Sequence, residues 1–398
     1  MNCLRSVPLL ALLVLAGCSA TLVEQPFEEV TRSAGPVPAA QVAAGVDRFP
    51  IAVNGQWGYI DRSGAVVIEP QFNEAHAFAE GLARVVVAGR YGYIDPTGAL
   101  AIEPRFLRAF DFSLGRARVV LPAAEIDARS RDALPEARRL EAFIDTGGTV
   151  VVPAVLTEAR DFGGEQEAAR APVVRTRIRN YVPLGLDLLS FLSLRLQDAG
   201  AWELIGSDGQ AAARLENANT VLGLSEGRLP FATEVGGWPF TSERWGYLDA
   251  DGSVRIEPQF LAAFGFSEGR AAVVVDDRFG YIDTTGALVI EPKFEQAGPF
   301  ASDRAPVRRD GRWGFVDRDG QFVIAPQYDL AFPFSDGLAL VARDGRFGFV
   351  TPDGAEAIPL RFDYARSFQN GLAYVRAGTK EGYIDASGTF VWTQPAPR

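Results

Sequence analysis

The stretch "RWGFVDRDGQFVIAPQY", Arg312–Tyr328, decides the fold class. Trp313 and Phe315 alternate with Gly314 and Val316, the period of two that a strand requires. Asp317-Arg318-Asp319-Gly320 follows as a turn, in which the aspartate accepts turn amides and the glycine supplies a positive φ. A second apolar run starts at Phe322, and Pro326, which has no amide to donate to a ladder, stops it.

Near-copies occupy most of the chain. Trp245, Phe279, Trp313, Phe347 and Glu381 stand 34 residues apart, as do Trp57 and Tyr91. Two weaker copies, "EAFIDTGGTVVVP" from Glu141 and "AWELIGSDGQAAARL" with Trp202 at the aromatic position, bring the count to nine units. A period of this length is the mark of solenoids, propellers and arrays.

Between the tryptophan hairpins runs a second recurring segment, as in "PQFNEAHAFAEGLARVVV", Pro70–Val87. Phe72, Ala75 and Phe78 are expected to plug the space between units, and Gly81 to turn the chain into a third strand. A short "AGR" or "RDG" turn then leads to the next aromatic strand, so one unit is a three-stranded antiparallel meander with room for a short fourth strand near the phenylalanines. Such a sheet cannot bury both faces alone, and stacked copies solve this if the second aromatic of one unit covers its neighbour. The glycine after the tryptophan implies a close approach of backbone or ring at that point. The sequence therefore predicts an all-β chain of tandem 34-residue antiparallel β-meander repeats, a propeller-like or open superhelical array with an irregular central insertion. Nine units with uneven insertions favour an open array of propeller-like blades over a closed ring.

The pattern of Trp-Gly, Asp-x-x-Gly, Ile-x-Pro-x-Phe and Phe-x-x-Gly-x-Ala in "RWGFVDRDGQFVIAPQYDLAFPFSDGLALV" resembles the bacterial WG-repeat family. It is specific in seven units and fades between residues 121 and 240. The resemblance implies an all-β interaction module in secreted or surface-facing bacterial proteins; it brings no catalytic residues and no cofactor.

The chain opens "MNCLRSVPLLALLVLAGCSA", with Arg5, an apolar run from Val7 to Ala16 and small residues ahead of Cys18. This reads as a secretory signal, too short to span a bilayer as a mature helix. Leu15-Ala16-Gly17-Cys18 resembles the bacterial lipobox, which implies cleavage after residue 17 and acylation of Cys18, and Ser19 in the following position implies the outer membrane. Cys3 would leave with the signal, so the mature chain has no internal disulfide. The expected organisation is a signal peptide over 1–17, a lipidated tether over 18–48, repeats one and two over 49–120, degenerate repeats three and four with insertions over 121–240, and repeats five to nine over 241–398.

A net charge of −11 repels phosphate backbones, which argues against nucleic acid. No basic amphipathic stretch holds the chain on anionic lipid, so membrane contact is expected through the acyl anchor. Two inserted segments stand out: "AAEIDARSRDALPEARRLEA", Ala123–Ala142, reads as a short helix or long loop, and "YVPLGLDLLSFLSLRL", Tyr181–Leu196, as a segment packed on the repeats or an apolar contact surface.

Little here supports catalysis. His76, the sole histidine, lies in an ordinary repeat connection, which argues against a Ser-His-acid triad. Zinc sites of the His/Cys type lack ligands. "DADGS", Asp249–Ser253, and "DRDGQ", Asp317–Gln321, place the glycine too early for a calcium loop and read as hairpin turns. Arg90, Arg244, Arg278, Arg312 and Arg346 each precede the aromatic position, either as a row that grips an acidic glycan or as hairpin residues covering neighbouring rings. The expectation is a non-enzymatic, cofactor-free envelope module, lipid-anchored at Cys18, that binds an envelope protein or polysaccharide; the other reading is a carboxylate-based glycan hydrolase.

Overall fold

The computed structural model describes residues 46–126, 141–159, 170–175, 202–206, 211–215, 218–236 and 242–395. The signal, Cys18 and nearly all of the tether lie outside these residues, as do 127–140 and the apolar segment 181–196.

The first repeat strand starts at Phe49. The first blade holds β1 (Phe49–Val53), β2 (Gln56–Ile60) and β3 (Val66–Phe72), in that order across the sheet. The second adds the fourth strand: β4 (Glu74–Ala79), β5 (Leu82–Val87), β6 (Arg90–Ile94) and β7 (Leu100–Phe106). Five later blades repeat this four-stranded order, with the first strand often reduced to two residues, as at Gln296–Ala297. Blades three and four share one seven-stranded sheet because Val150–Ala159 pairs with Arg170–Arg175.

Register confirms the nine units. Trp57 faces Phe72, Tyr59 faces Ile68 and Ile60 faces Val66, with a bulge between; Glu141, Phe143 and Ile144 face Leu156, Val152 and Val150 in the same pattern. The bulge explains the glycine that follows the first position in seven of the nine units, Ala142 and Glu203 standing there in the other two. A Cβ on Gly314 would lie 2.8 Å from Pro326 N and 2.9 Å from Ala325 C, so in this blade glycine is what lets the bulged strand pass so closely.

The two-residue hairpins select their own residues. Asp310 and Gly311 have φ of 53° and 75°, and Asp344 and Gly345 have 53° and 71°, the paired positive φ of a type I′ turn whose twist matches that of its strands.

The core lies between blades. Tyr59, Tyr93, Tyr281, Phe315 and Phe349, the second aromatics, are wholly buried. Each meets a phenylalanine of the following blade: Tyr59 meets Phe78 at 5.2 Å, Tyr281 meets Phe300 at 4.9 Å and Phe349 meets Phe368 at 4.7 Å. Where the ring is a tyrosine, its buried hydroxyl donates to a carbonyl of that blade, Tyr281 to Gly298 at 2.7 Å and Tyr59 to His76 at 2.8 Å.

The open array expected from the uneven insertions is not what forms, because the first and ninth blades pack on one another. In six blades the turn glycine abuts the isoleucine of the preceding one, as Gly98 does Ile68 and Gly354 does Ile324, and in the fifth Gly252 abuts Ala213 and Leu215. Gly64 of the first blade abuts the ninth at the equivalent place, here against the backbone of Val391 and Trp392. Phe49, Ile51 and Ile60 form one buried cluster with Leu372 and Tyr383. The ring closes by packing, with no strand shared between the two ends of the chain. Insertions do not prevent this because they fall between paired strands: Arg116–Val120 still pairs with Glu141–Asp145, and Arg170–Arg175 with Trp202–Gly206.

Candidate functional site

The meander sends its turns alternately to two rims. One rim carries the turns between first and second strands together with the Asp-x-x-Gly turns; the other carries the turns between second and third strands and the one-residue links between blades.

On the first rim the polar groups serve one another. Asp61 Oδ1 accepts the Ser63 amide at 2.9 Å, the Ala65 amide at 3.1 Å and the Ser63 hydroxyl at 2.6 Å, and Asp283 repeats the arrangement with Thr285 and Ala287. These bonds hold both carboxyls below the usual aspartate range, the side-chain hydroxyl contributing most. Asp317 accepts the Asp319 and Gln321 amides, so "DRDGQ" is a hairpin turn as read from sequence.

A second set of carboxylates clasps neighbouring blades. Glu80 accepts the Leu114 and Gly115 amides at 2.6 and 2.8 Å, and Glu268 accepts those of Ser302 and Asp303 at 2.8 and 2.9 Å. Arg304 bridges onward through Nε to the Pro352 carbonyl at 3.1 Å. Sequence reasoning passed over these clasps, although their signal, an acid before the glycine in "AEGLA" and "SEGRA", was in view.

His76 is half-buried on β4. Arg84 Nη2 lies 3.1 Å from its Nδ1, and since a guanidinium only donates, Nδ1 accepts and the ring proton sits on Nε2. Burial first, then the Arg84 charge, lowers the imidazole to about 4, against an opposing pull from Glu74. A triad needs a hydroxyl on one ring nitrogen and a carboxylate on the other; here arginine takes one of them. Among the described residues no group of three or more His, Cys, Asp or Glu side chains gathers as a metal site would require.

The second rim is where the arginines stand. Arg312 pairs with Asp329 and Arg346 with Asp363, each aspartate being a link residue to the next blade. The second oxygen of Asp329 accepts the Asp344 amide at 2.7 Å, and that of Asp363 accepts the Gly378 amide at 2.5 Å. Arg312 and Arg346 therefore pair with acids rather than cover rings, while Arg244 donates to the Glu243 carbonyl at 3.0 Å. Ring contacts belong to a different series: Arg309 lies 5.6 Å from the Phe294 centroid and 5.1 Å from that of Phe322, and Arg343 lies 6.0 Å from Tyr328.

In the seventh blade the two series meet. Arg309, Asp310, Arg312, Phe322 and Pro326 line a solvent-open cleft of about 270 Å³. Arg309 directly opposes Arg312 across the hairpin. Like charges directly opposite are unfavourable, so the ion pair of Arg312 with Asp329 is what makes this placement tolerable. Arg309 has rings beneath it and no ion pair among the described residues.

Six stretches match the model of the WG containing repeat: 57–91, 91–121, 245–278, 279–313, 313–346 and 347–380. Together they span half of the chain. The protein belongs to the WG containing repeat family. This WG-repeat chain gives no match among curated proteins. Among solved structures it is similar to a eukaryotic initiation factor, with a TM-score of 0.59 and 12% identity over 87% of this chain and 96% of that one. It also aligns with the β-propeller domain of the Trilobed protease from Pyrococcus furiosus, with a TM-score of 0.37 and 6% identity over 86% and 96% of the two chains. The first likeness speaks to fold alone. The WG repeats thus build propeller-like blades, as their 34-residue period and buried second aromatics imply.

Proposed function

We propose that this WG-repeat protein is a non-catalytic binding or scaffold module of a bacterial envelope, held by an acyl chain on Cys18 and engaging an envelope protein or polysaccharide. The observation that carries the reading is the division of labour between rims. Carboxylates of the first rim are committed to backbone amides within and between blades, which makes a stiff frame, while the second rim opens a cleft lined by cations and a phenyl ring. Rigid frames with exposed turns suit binding, because little ordering entropy is lost on contact. Against glycan hydrolysis, which needs two converging carboxylates, stands the lining of this cleft, where Asp310 is the one acid. The signal and the lipobox-like Leu15–Cys18 support delivery to the envelope, with Ser19 favouring the outer membrane.

The test compares wild type with Cys18→Ala in fractionated native cells, with crosslinking and pull-down on both. Wild type in the outer-membrane fraction with a defined protein or glycan, released together with the variant into the soluble fraction, supports the reading. Equal solubility of the two proteins removes the anchor, and release of shortened glycan removes the non-catalytic assignment.

A further inference from the structure

We infer that the cleft of the seventh blade is a subsite for one acidic sugar, the uronate unit of a polyanionic polysaccharide. This deepens the binding-module reading and rests on it.

Each lining group matches one part of such a ring. Asp329 is engaged by Arg312 through one oxygen and by the Asp344 amide through the other, and among the described residues no acid pairs with Arg309. Arg309 is thus a positioned cation without an acid, held over Phe294 and Phe322, and its fork of donors suits a single carboxylate. Phe322 and Pro326 offer an apolar wall for the C–H face of a sugar. Asp310, exposed at the turn with a φ of 53°, is an acceptor for ring hydroxyls.

Phe322 is a departure from the repeat. Its counterparts at the start of this strand are Val66, Leu100, Val254, Leu288 and Glu356, and the other aromatic there, Phe390, is covered by the Lys380 ammonium at 4.2 Å. The volume of about 270 Å³ falls below the ~300–1,000 Å³ of small-molecule pockets, so the open cleft has room for a single ring rather than a whole ligand. Arg343 opposes Arg346 on the eighth blade in the same register, but its Nη1 is engaged by Gln327 at 3.1 Å and Glu356 replaces the phenyl wall. Packed sheets stand about 10 Å apart, so the next blade offers a second, weaker cation along the same polymer. A peptide with a run of carboxylates matches the lining less well, because it has no C–H ring face to lay on Phe322 and Pro326.

The experiment titrates the full chain, purified in mild detergent, with polygalacturonate at low fixed salt, using dextran as the neutral polymer and polyglutamate as the peptide polyanion. Wild type binds polygalacturonate, dextran does not, and Arg309→Met weakens binding by roughly tenfold to a hundredfold, the range for a lost hydrogen-bonded charge contact. Arg309→Lys recovers part of the loss, and Phe322→Ala weakens binding while leaving its salt dependence in place. Matching melting profiles show that the variants fold. Failure of wild type to bind polygalacturonate, or an Arg309→Met variant that binds as well as wild type, overturns the subsite. Equal or tighter binding of polyglutamate through Arg309 overturns the sugar assignment. If Arg309→Met still retains an envelope partner in cells while polygalacturonate does not bind, the module reading stands and this subsite alone falls. Shortening of the polymer on incubation overturns the non-catalytic reading instead.

Discussion

The Tyr383 hydroxyl donates to the Pro50 carbonyl at 2.8 Å, across 333 residues of chain. Tyr383 also packs against Phe49 at 5.7 Å, so the ninth blade uses on the first the same aromatic that other blades use on their successors. Ring closure is thus one more blade contact rather than a separate device. Tyr383→Phe removes the hydroxyl alone and is expected to cost about 1 kcal/mol. Tyr281→Phe, which removes the equivalent bond to Gly298 in mid-ring, is the comparison and should cost about as much. Urea midpoints measure both. A loss for Tyr281→Phe with none for Tyr383→Phe would mean that the ring is open in solution.

Two glycines of the seventh blade separate conformational strain from overlap. Gly311 sits at a φ of +75° with nothing within 4 Å of an added Cβ, so Gly311→Ala meets only the left-handed penalty, about 1–2 kcal/mol. Gly314 has an ordinary φ, but its Cβ would strike the backbone from Ile324 to Pro326, which cannot rotate away. Gly314→Ala is expected to exceed the ~1–3 kcal/mol usual for overpacking. Equal denaturation midpoints for the two variants would refute the close-approach account of the Trp-Gly pair.

What the sequence disclosed was what repeats locally. Strand alternation around Trp57 and Tyr59 and the Asp61 turn are each set by a few adjacent residues, and copying them 34 residues on makes them conspicuous; the stop expected at Pro70 does not occur, because the strand continues through it to Phe72 across the bulge. Closure was not legible because it depends on the small rotation between blades summed around the ring, which no residue encodes alone. The cleft was missed for the opposite reason. It comes from Phe322, where seven other units have valine, leucine, alanine or glutamate and the ninth has Phe390, and matters only once pairing places it beside Arg309. The arginines before each aromatic were noticed, but their partners Asp329 and Asp363 lie 17 residues downstream on the links to the next blade, a distance that strand periodicity does not reveal.

His76 gives the fold one pH-sensitive contact in the mildly acidic range. Its imidazole is lowered from 6.5 to about 4 in the folded chain, so the unfolded chain takes up the proton first as pH falls. The neutral ring's contribution is full above the unfolded value and is lost progressively as pH drops from about 6.5 towards 4. His76→Gln keeps an acceptor for Arg84 without this titration. Urea midpoints followed between about pH 7 and pH 5 should slope downward for wild type and run flatter for the variant. Identical slopes would show that Arg84 does not hold His76 neutral.

The turn aspartates act in a lower window and with their own sign. Asp61, Asp95 and Asp283 are lowered from 3.8, chiefly by the hydroxyls of Ser63, Thr97 and Thr285, which donate to the ionised form. Their stabilisation is present above the unfolded aspartate value, about 3.9, and disappears as pH falls through the lower folded values. Because the same turn recurs around the ring, the effects accumulate, and the wild-type protein should lose stability steeply below about pH 4. Asn at these positions still accepts the amides but has no charge to lose. The triple variant Asp61→Asn, Asp95→Asn, Asp283→Asn is therefore expected to be less stable than wild type near neutral pH and to show a shallower acid limb. Circular dichroism melts recorded down the acid range decide the point: if the triple variant follows the wild-type acid curve, acid lability arises elsewhere and the charged turn bonds contribute little.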